Sequence, residues 1–206
     1  MTPVVAALAV VNIAVFALTA THPGWEFDYA QIPAAVAHGQ SYRLLTAAFI
    51  HENITHLVFN MVALLIMGPP IEQALGRGRF LVLYVLSALG GSVFSFLLGP
   101  VNVAGVGASG AIFGIFGAWF SLTRASRSDT GVIVLLITFL LAYSFYDTAI
   151  DWRAHVGGLL TGAVVGAAYA LAARRPRRAR VALEALVVVV VLGLLCTFVL
   201  FRSARI

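Results

Sequence analysis

The sequence predicts an all-α protein, a polytopic bundle of about seven transmembrane helices forming one membrane domain over residues 1–206. Three observations predict it. Of 206 residues, 61% are hydrophobic and only 10% are charged, whereas a soluble domain carries about 25% charged residues. A bilayer core of roughly 30 Å needs about 20 apolar residues per helix, and the chain holds seven apolar stretches of about that length. The arginines collect in alternate connections between those stretches.

The first stretch, residues 3–20, has neither a basic leading region nor a small-x-small cleavage site, so it reads as a retained anchor and not a removed signal. A connection over residues 21–53 follows, with Trp25, Phe27, Tyr29 and Tyr42 suited to the membrane interface. The second stretch, 54–68, is expected to stop before Pro69 and Pro70. The third covers 80–98, the fourth 108–122 and the fifth 131–147. The sixth, 154–173, ends a core over residues 1–173; a basic linker at 174–180 then leads to a seventh helix at 181–201. No fixed-period repeat or change of composition marks a second domain.

All thirteen basic residues are Arg and the formal net charge is +5. In a membrane protein such arginines report orientation, so nucleic-acid binding is not expected. Arg77, Arg79, Arg124, Arg127, Arg174, Arg175, Arg177, Arg178 and Arg180 fall on one side; Arg43, Arg153, Arg202 and Arg205 fall on the other. The N-terminus is therefore expected in the cytoplasm and the C-terminus outside. The single cysteine, Cys196, excludes an intrachain disulfide framework.

Polar groups inside an apolar helix are costly and need a reason. His51, His56, Asn60, Ser109 and His155 all lie near the opening turns of the even-numbered stretches, and hence toward the outer face. At about 1.5 Å per residue, Ser109 lies about 22 Å from the Arg124 end, which puts it roughly 8 Å below the outer surface. Counting back from Arg174 places His155 only a few Å deep, and counting back from Gly68 places His56 about 12 Å deep. The segment GPVNVAGVG before Ser109 must then dip inward. Irregular backbone at that depth is tolerated only against protein or beside water, which implies a wet pocket open to the outer side.

Ser109 sits in GASGAIFG, and such a serine is either a packing residue or a nucleophile. His155 is the candidate base. His56 and Asn60 share a helix face at i, i+4 and would offer donors to an oxyanion, together with the Ser109 backbone N–H at the positive end of its helix. No carboxylate is placed to orient His155, so a Ser-His dyad is expected. His51 reads as structural. Gly158, Gly162 and Gly166 form a small-xxx-small ladder that would bring the helix carrying His155 close to a neighbour, with the one carrying Ser109 as the candidate. Gly107 and Gly110, with Gly114 one turn on, would keep the backbone slim beside that serine.

The segments YRLLTAAFIHENITHLVFNMVALLIMG, IEQALGRGRF, GVGASGAIFG and AHVGGLLTG resemble, in order, the rhomboid intramembrane serine proteases. HxxxN, GxSGxxxG and AHxxGxxxG together are specific. The resemblance implies a six-helix core plus one C-terminal helix, with Ser109 as nucleophile, His155 as its dyad partner, and His56 and Asn60 as oxyanion residues. Phe113 stands where the family places an aromatic that packs on the catalytic imidazole, usually Tyr. Tyr42-Arg43 stands where Trp-Arg is frequent, and Glu72 matches an acidic position of the following loop. An Arg43 to Glu72 pair is disfavoured, because the topology puts them at opposite surfaces. The fifth helix, with Phe139 and Leu140, resembles the mobile helix through which substrates enter, and Phe59 would face it.

The resemblance implies cleavage of transmembrane or membrane-proximal peptide bonds near the outer face. The expected partners are transmembrane protein substrates and membrane lipids, with no metal and no cofactor; the compact chain favours a bacterial plasma membrane. The rival reading is a catalytically inactive relative that binds or escorts membrane proteins. A channel is disfavoured, because no polar path continues through the cytoplasmic half.

Overall fold

The computed structural model describes residues 2–22, 24–147 and 150–206. Among these, ten α-helices and one 3-10 turn carry the fold, and the one strand-like pairing is an isolated antiparallel bridge between Gln31 and Gly105.

Helix α1 (Pro3–Thr21) opens on a proline, whose missing N–H costs nothing in a first turn. Its next two amides are capped from a distance: Val4 N–H and Val5 N–H donate to the Glu72 carboxylate at 3.1 and 2.8 Å. The long connection folds into three short helices, α2 (Trp25–Tyr29), α3 (Pro33–Ala37) and α4 (Arg43–Thr46), followed by the 3-10 turn Ala47–Phe49. Arg43 is buried among them and donates to the Phe27 carbonyl, to Ala30 O at 2.8 Å and to Gln40 Oε1 at 2.5 Å.

Asn53 caps α5 (Ile54–Leu75) by accepting the His56 N–H at 2.9 Å. Gly76, at φ +81°, turns the chain directly into α6 (Arg77–Leu98). Then come α7 (Ser109–Ala125), α8 (Gly131–Tyr146), α9 (Trp152–Ala172) and α10 (Arg177–Ser203). Asp151 caps α9 through the Arg153 N–H at 3.1 Å.

Each of the seven expected stretches is a helix. By length and composition, α1, α5, α6, α9 and α10 can cross a membrane. The other two are shorter: α8 has 16 residues and α7 has 17. Helix α7 is the central one, with every residue from Gly110 to Ala118 buried.

Tightest packing is between α7 and α9, with α6 against both. Glycines make it possible. A Cβ on Gly158 would lie 2.7 Å from the carbonyl carbon of Gly110, and one on Gly166 would lie 2.6 Å from the Ala118 Cα. Between them, Gly162 meets the Gly114 backbone. Two small-xxx-small ladders therefore face each other at four-residue spacing, which lets the backbones touch.

The arginine-bearing ends gather together, as alternating topology requires. Arg79 pairs with Glu184 at 2.9 Å, joining the starts of α6 and α10, and the Arg174 guanidinium donates to Ala125 O at 2.8 Å, joining the ends of α9 and α7.

Two boundaries differ from expectation. Helix α5 does not stop at Gly68 but runs through Pro69 and Pro70 to Leu75. A proline inside a helix frees only the carbonyl four residues back, and membrane helices tolerate this when neighbours re-satisfy it. Glu72 consequently lies in the last turns of a helix and not in a loop. Helix α10 begins at Arg177, just after Pro176, so Arg177, Arg178 and Arg180 belong to its first turn and not to a linker.

Candidate active site

The chain leading to Ser109 is irregular and held against protein. Gln31 and Gly105 exchange backbone hydrogen bonds of 3.0 and 2.8 Å, Ala34 N–H donates to Val101 O at 2.9 Å, and Gly107 N–H donates to Ala47 O at 2.9 Å. The first long connection thus satisfies the backbone of this segment. Gly107 has φ +121°, a conformation that L side chains rarely adopt. A Cβ there would also lie 2.7 Å from His56 Nε2.

Two residues later Ser109 begins α7. The residue is half-buried, and its Oγ lies 2.8 Å from His155 Nε2. His155 is buried in the first turn of α9. The α7–α9 ladder sets this spacing, since Gly110 follows Ser109 by one residue and Gly158 follows His155 by three. Phe113, one helical turn beyond Ser109, stacks on the imidazole with ring centroids 4.2 Å apart and planes 18° apart. The second ring nitrogen is also engaged: His155 Nδ1 lies 2.7 Å from Ser144 Oγ, on α8.

His56 faces this pair from α5. Its imidazole and the Ser109 hydroxyl border the same small space beside Gly107: a Cβ there would lie 2.7 Å from His56 Nε2 and 3.7 Å from Ser109 Oγ. The depth expected for His56 takes Gly68 as the helix end, whereas α5 continues for seven more residues, to Leu75. Asn60 is buried one turn along, and its amide nitrogen donates to His56 O at 3.0 Å. An amide has two N–H donors, so a second remains for another acceptor. His51 is buried edge-on to His56, with centroids 5.2 Å apart. Burial, with the neighbouring His56, pushes the His51 imidazole down to about 4.

The arrangement joins a hydroxyl to an imidazole nitrogen at the amide end of a buried helix, within an apolar bundle. The sequence profile of the Rhomboid domain matches residues 38–172, a span that holds all of these groups. The chain belongs to the rhomboid family. It is an integral membrane protein with the helical bundle of that family. Its relatives include YdcA of Bacillus subtilis, 35% identical over 132 residues, which cover 62% of this chain and 66% of that protein. Rhomboid protease GluP of Bacillus subtilis is 39% identical over 142 residues, covering 66% of this chain and 27% of that protein. RHOMBOID-like protein 6, mitochondrial, of Arabidopsis thaliana is 37% identical over 137 residues, covering 64% of this chain and 44% of that protein. The matches thus span just under two thirds of the length of one relative and less than half of the other two.

Within this rhomboid bundle, the residues singled out from sequence fall into two groups. Ser109, His155 and Phe113 are in contact, His56 lies beside Gly107 with Asn60 bonded to its carbonyl, and Gly158, Gly162 and Gly166 hold the two central helices together. Phe59 and Phe139 stand apart from them, 71% and 67% exposed on α5 and α8, and Leu140 packs against the central core. Arg43 and Glu72 do not share partners; each binds backbone of a different segment. Sequence reasoning missed Ser144. A lone serine in LLAYSFY carries no spacing that links it to His155, and only the crossing of α8 and α9 brings them together.

Proposed function

We propose that this protein is an intramembrane serine endopeptidase that cleaves transmembrane or membrane-proximal peptide bonds near the outer membrane face. The observation that carries this reading is the 2.8 Å contact between Ser109 Oγ and His155 Nε2. A serine hydroxyl is a weak nucleophile until a base takes its proton, and a neutral imidazole within hydrogen-bond reach is suited to that.

In this mechanism Ser109 Oγ attacks the scissile carbonyl carbon while its proton passes to His155 Nε2. The carbonyl oxygen becomes an oxyanion facing the Ser109 backbone N–H, which lies in a first helical turn where amides lack intrahelical partners. His56 and the second Asn60 N–H are the side-chain donors to the same oxygen. Collapse of the tetrahedral intermediate breaks the C–N bond, and His155 returns the proton to the leaving amine. Water then attacks the acyl-Ser109 ester with His155 again as base, releasing the second product. Phe113 supports the imidazole by stacking. The lightly packed α8, with exposed Phe139 and with Leu140 at its inner side, is the side on which a substrate helix would approach, facing Phe59. We place the N-terminus in the cytoplasm on the distribution of arginines.

Purified protein in proteoliposomes, given a single-span substrate with small residues near its outer end, tests this reading. Wild type cleaves, whereas Ser109→Ala and His155→Ala each fall to background. Cleavage that persists in both variants, or its absence from wild type across a panel of such substrates, would overturn it in favour of a binding or escort role.

A further inference from the structure

The Ser144 hydroxyl makes two contacts of 2.7 Å, one to the backbone carbonyl of Leu140 and one to His155 Nδ1. A carbonyl oxygen only accepts, and a hydroxyl has a single proton to give. Both contacts are hydrogen bonds only if that proton points to Leu140 O, leaving a lone pair of Ser144 Oγ to accept from Nδ1–H. The proton of the neutral imidazole is then on Nδ1, and the bare Nε2 faces Ser109 Oγ at 2.8 Å. The result is one directed chain: Ser109 O–H to His155 Nε2, His155 Nδ1–H to Ser144 Oγ, and Ser144 O–H to Leu140 O.

The surroundings favour a dedicated contact. Helix α8 is largely exposed on the bundle's flank, and Ile133 and Ser144 are its buried residues. Its one buried polar side chain is thus the one that touches the base. Asp151, the nearest carboxylate in sequence, is engaged elsewhere, with Ser95 and with the Arg153 N–H.

We propose that Ser144 is a positioning residue that holds His155 in the Nδ1–H tautomer and fixes its ring toward Ser109, in the place where a triad would put a carboxylate. This rests on the reading of Ser109 and His155 as nucleophile and base. The link runs between helices, so the tautomer of the base depends on α8 being seated. A displacement of α8 removes the acceptor and leaves Nδ1–H without it.

The test uses three variants of the full chain. Ser144→Ala deletes the hydroxyl, Ser144→Val deletes it while keeping the bulk of a branched side chain, and Ser144→Thr keeps it. Imidazole 15N shifts of histidine-labelled protein, with His155 assigned by comparison with His155→Asn, read the tautomer directly. Substrate cleavage is measured in parallel, with melting temperature to check the fold. The expected result is an Nδ1-protonated His155 in wild type and Ser144→Thr. In Ser144→Ala and Ser144→Val, Nε2 protonation appears and kcat falls about tenfold to a hundredfold, with KM little changed. An Nε2-protonated wild type would overturn the proposal, as would Ala and Val variants that keep either the wild-type tautomer or the wild-type kcat. The failure of the protease reading is a separate result, in which Ser109→Ala cleaves like wild type or nothing cleaves, and the 15N measurement decides the tautomer in either case.

Discussion

The Gly110 carbonyl in α7 occupies the place that a side chain on Gly158 in α9 would need. Because these glycines adjoin Ser109 and His155 in their helices, the contact that packs the bundle also sets the distance between hydroxyl and imidazole. Gly158→Ala is therefore expected to push α9 away from α7 and to cost about 1–3 kcal/mol as overpacking. Activity should fall further than the loss of folded protein accounts for, as read by cleavage per folded molecule after thermal-melt quantification. An Ala variant that melts and cleaves like wild type would refute this coupling.

Gly107→Ala tests the approach to Ser109 from the other side. Its φ of +121° strains any L residue, and the added methyl would press on His56 Nε2. Strain at such a position is on the order of 1–3 kcal/mol. The expected outcome is a folded protein with kcat reduced at least tenfold, measured in detergent with one substrate. Normal kcat would show that the His56 ring is not fixed where the structure has it.

Glu72 belongs to stability and not to chemistry. Its carboxylate, buried at the end of α5, caps the Val4 and Val5 amides of α1. Removing a helix cap costs about 0.5–2 kcal/mol, so Glu72→Ala should lower the melting temperature and speed amide exchange at residues 4 and 5. Cleavage below the melting transition should stay near wild type. Unchanged exchange at those amides would contradict the capping role.

Acid should weaken the fold through His51. Its folded value of about 4 lies below the ordinary 6.5, so folding favours the neutral ring. That contribution is full above about pH 6.5 and is lost as pH falls toward 4. Melting temperature should be flat above pH 7 and decline below 6.5, and His51→Asn should decline less steeply. Parallel curves for the two proteins would rule His51 out as the source.

The helices and the principal pair were legible because membrane burial makes both conspicuous. An apolar run of about 20 residues has few alternatives, and Ser109, His155, His56 and Asn60 stand out against hydrocarbon where polar groups are costly. The rest depends on contacts between segments that share no pattern. Pro69 and Pro70 look like a helix end and so put Glu72 beyond it, and only the packing of α1 beside α5 reveals what it caps. Ser144 has the same character: it becomes meaningful once α8 lies across the start of α9. Arg124 does lie in the last turn of the helix that Ser109 begins, whereas Gly68 is not the end of the helix that carries His56.

The central claim is that Ser109 is an activated nucleophile and not a packing residue. A fluorophosphonate probe, applied to purified protein and followed by peptide mass mapping, tests it most directly. The hydroxyl oxygen of an activated serine displaces fluoride from phosphorus, giving a stable adduct. We predict modification of Ser109 in wild type, and its loss in His155→Ala at equal folded concentration. Cleavage-competent wild type that leaves Ser109 unlabelled, or labelling that survives removal of His155, would contradict the account.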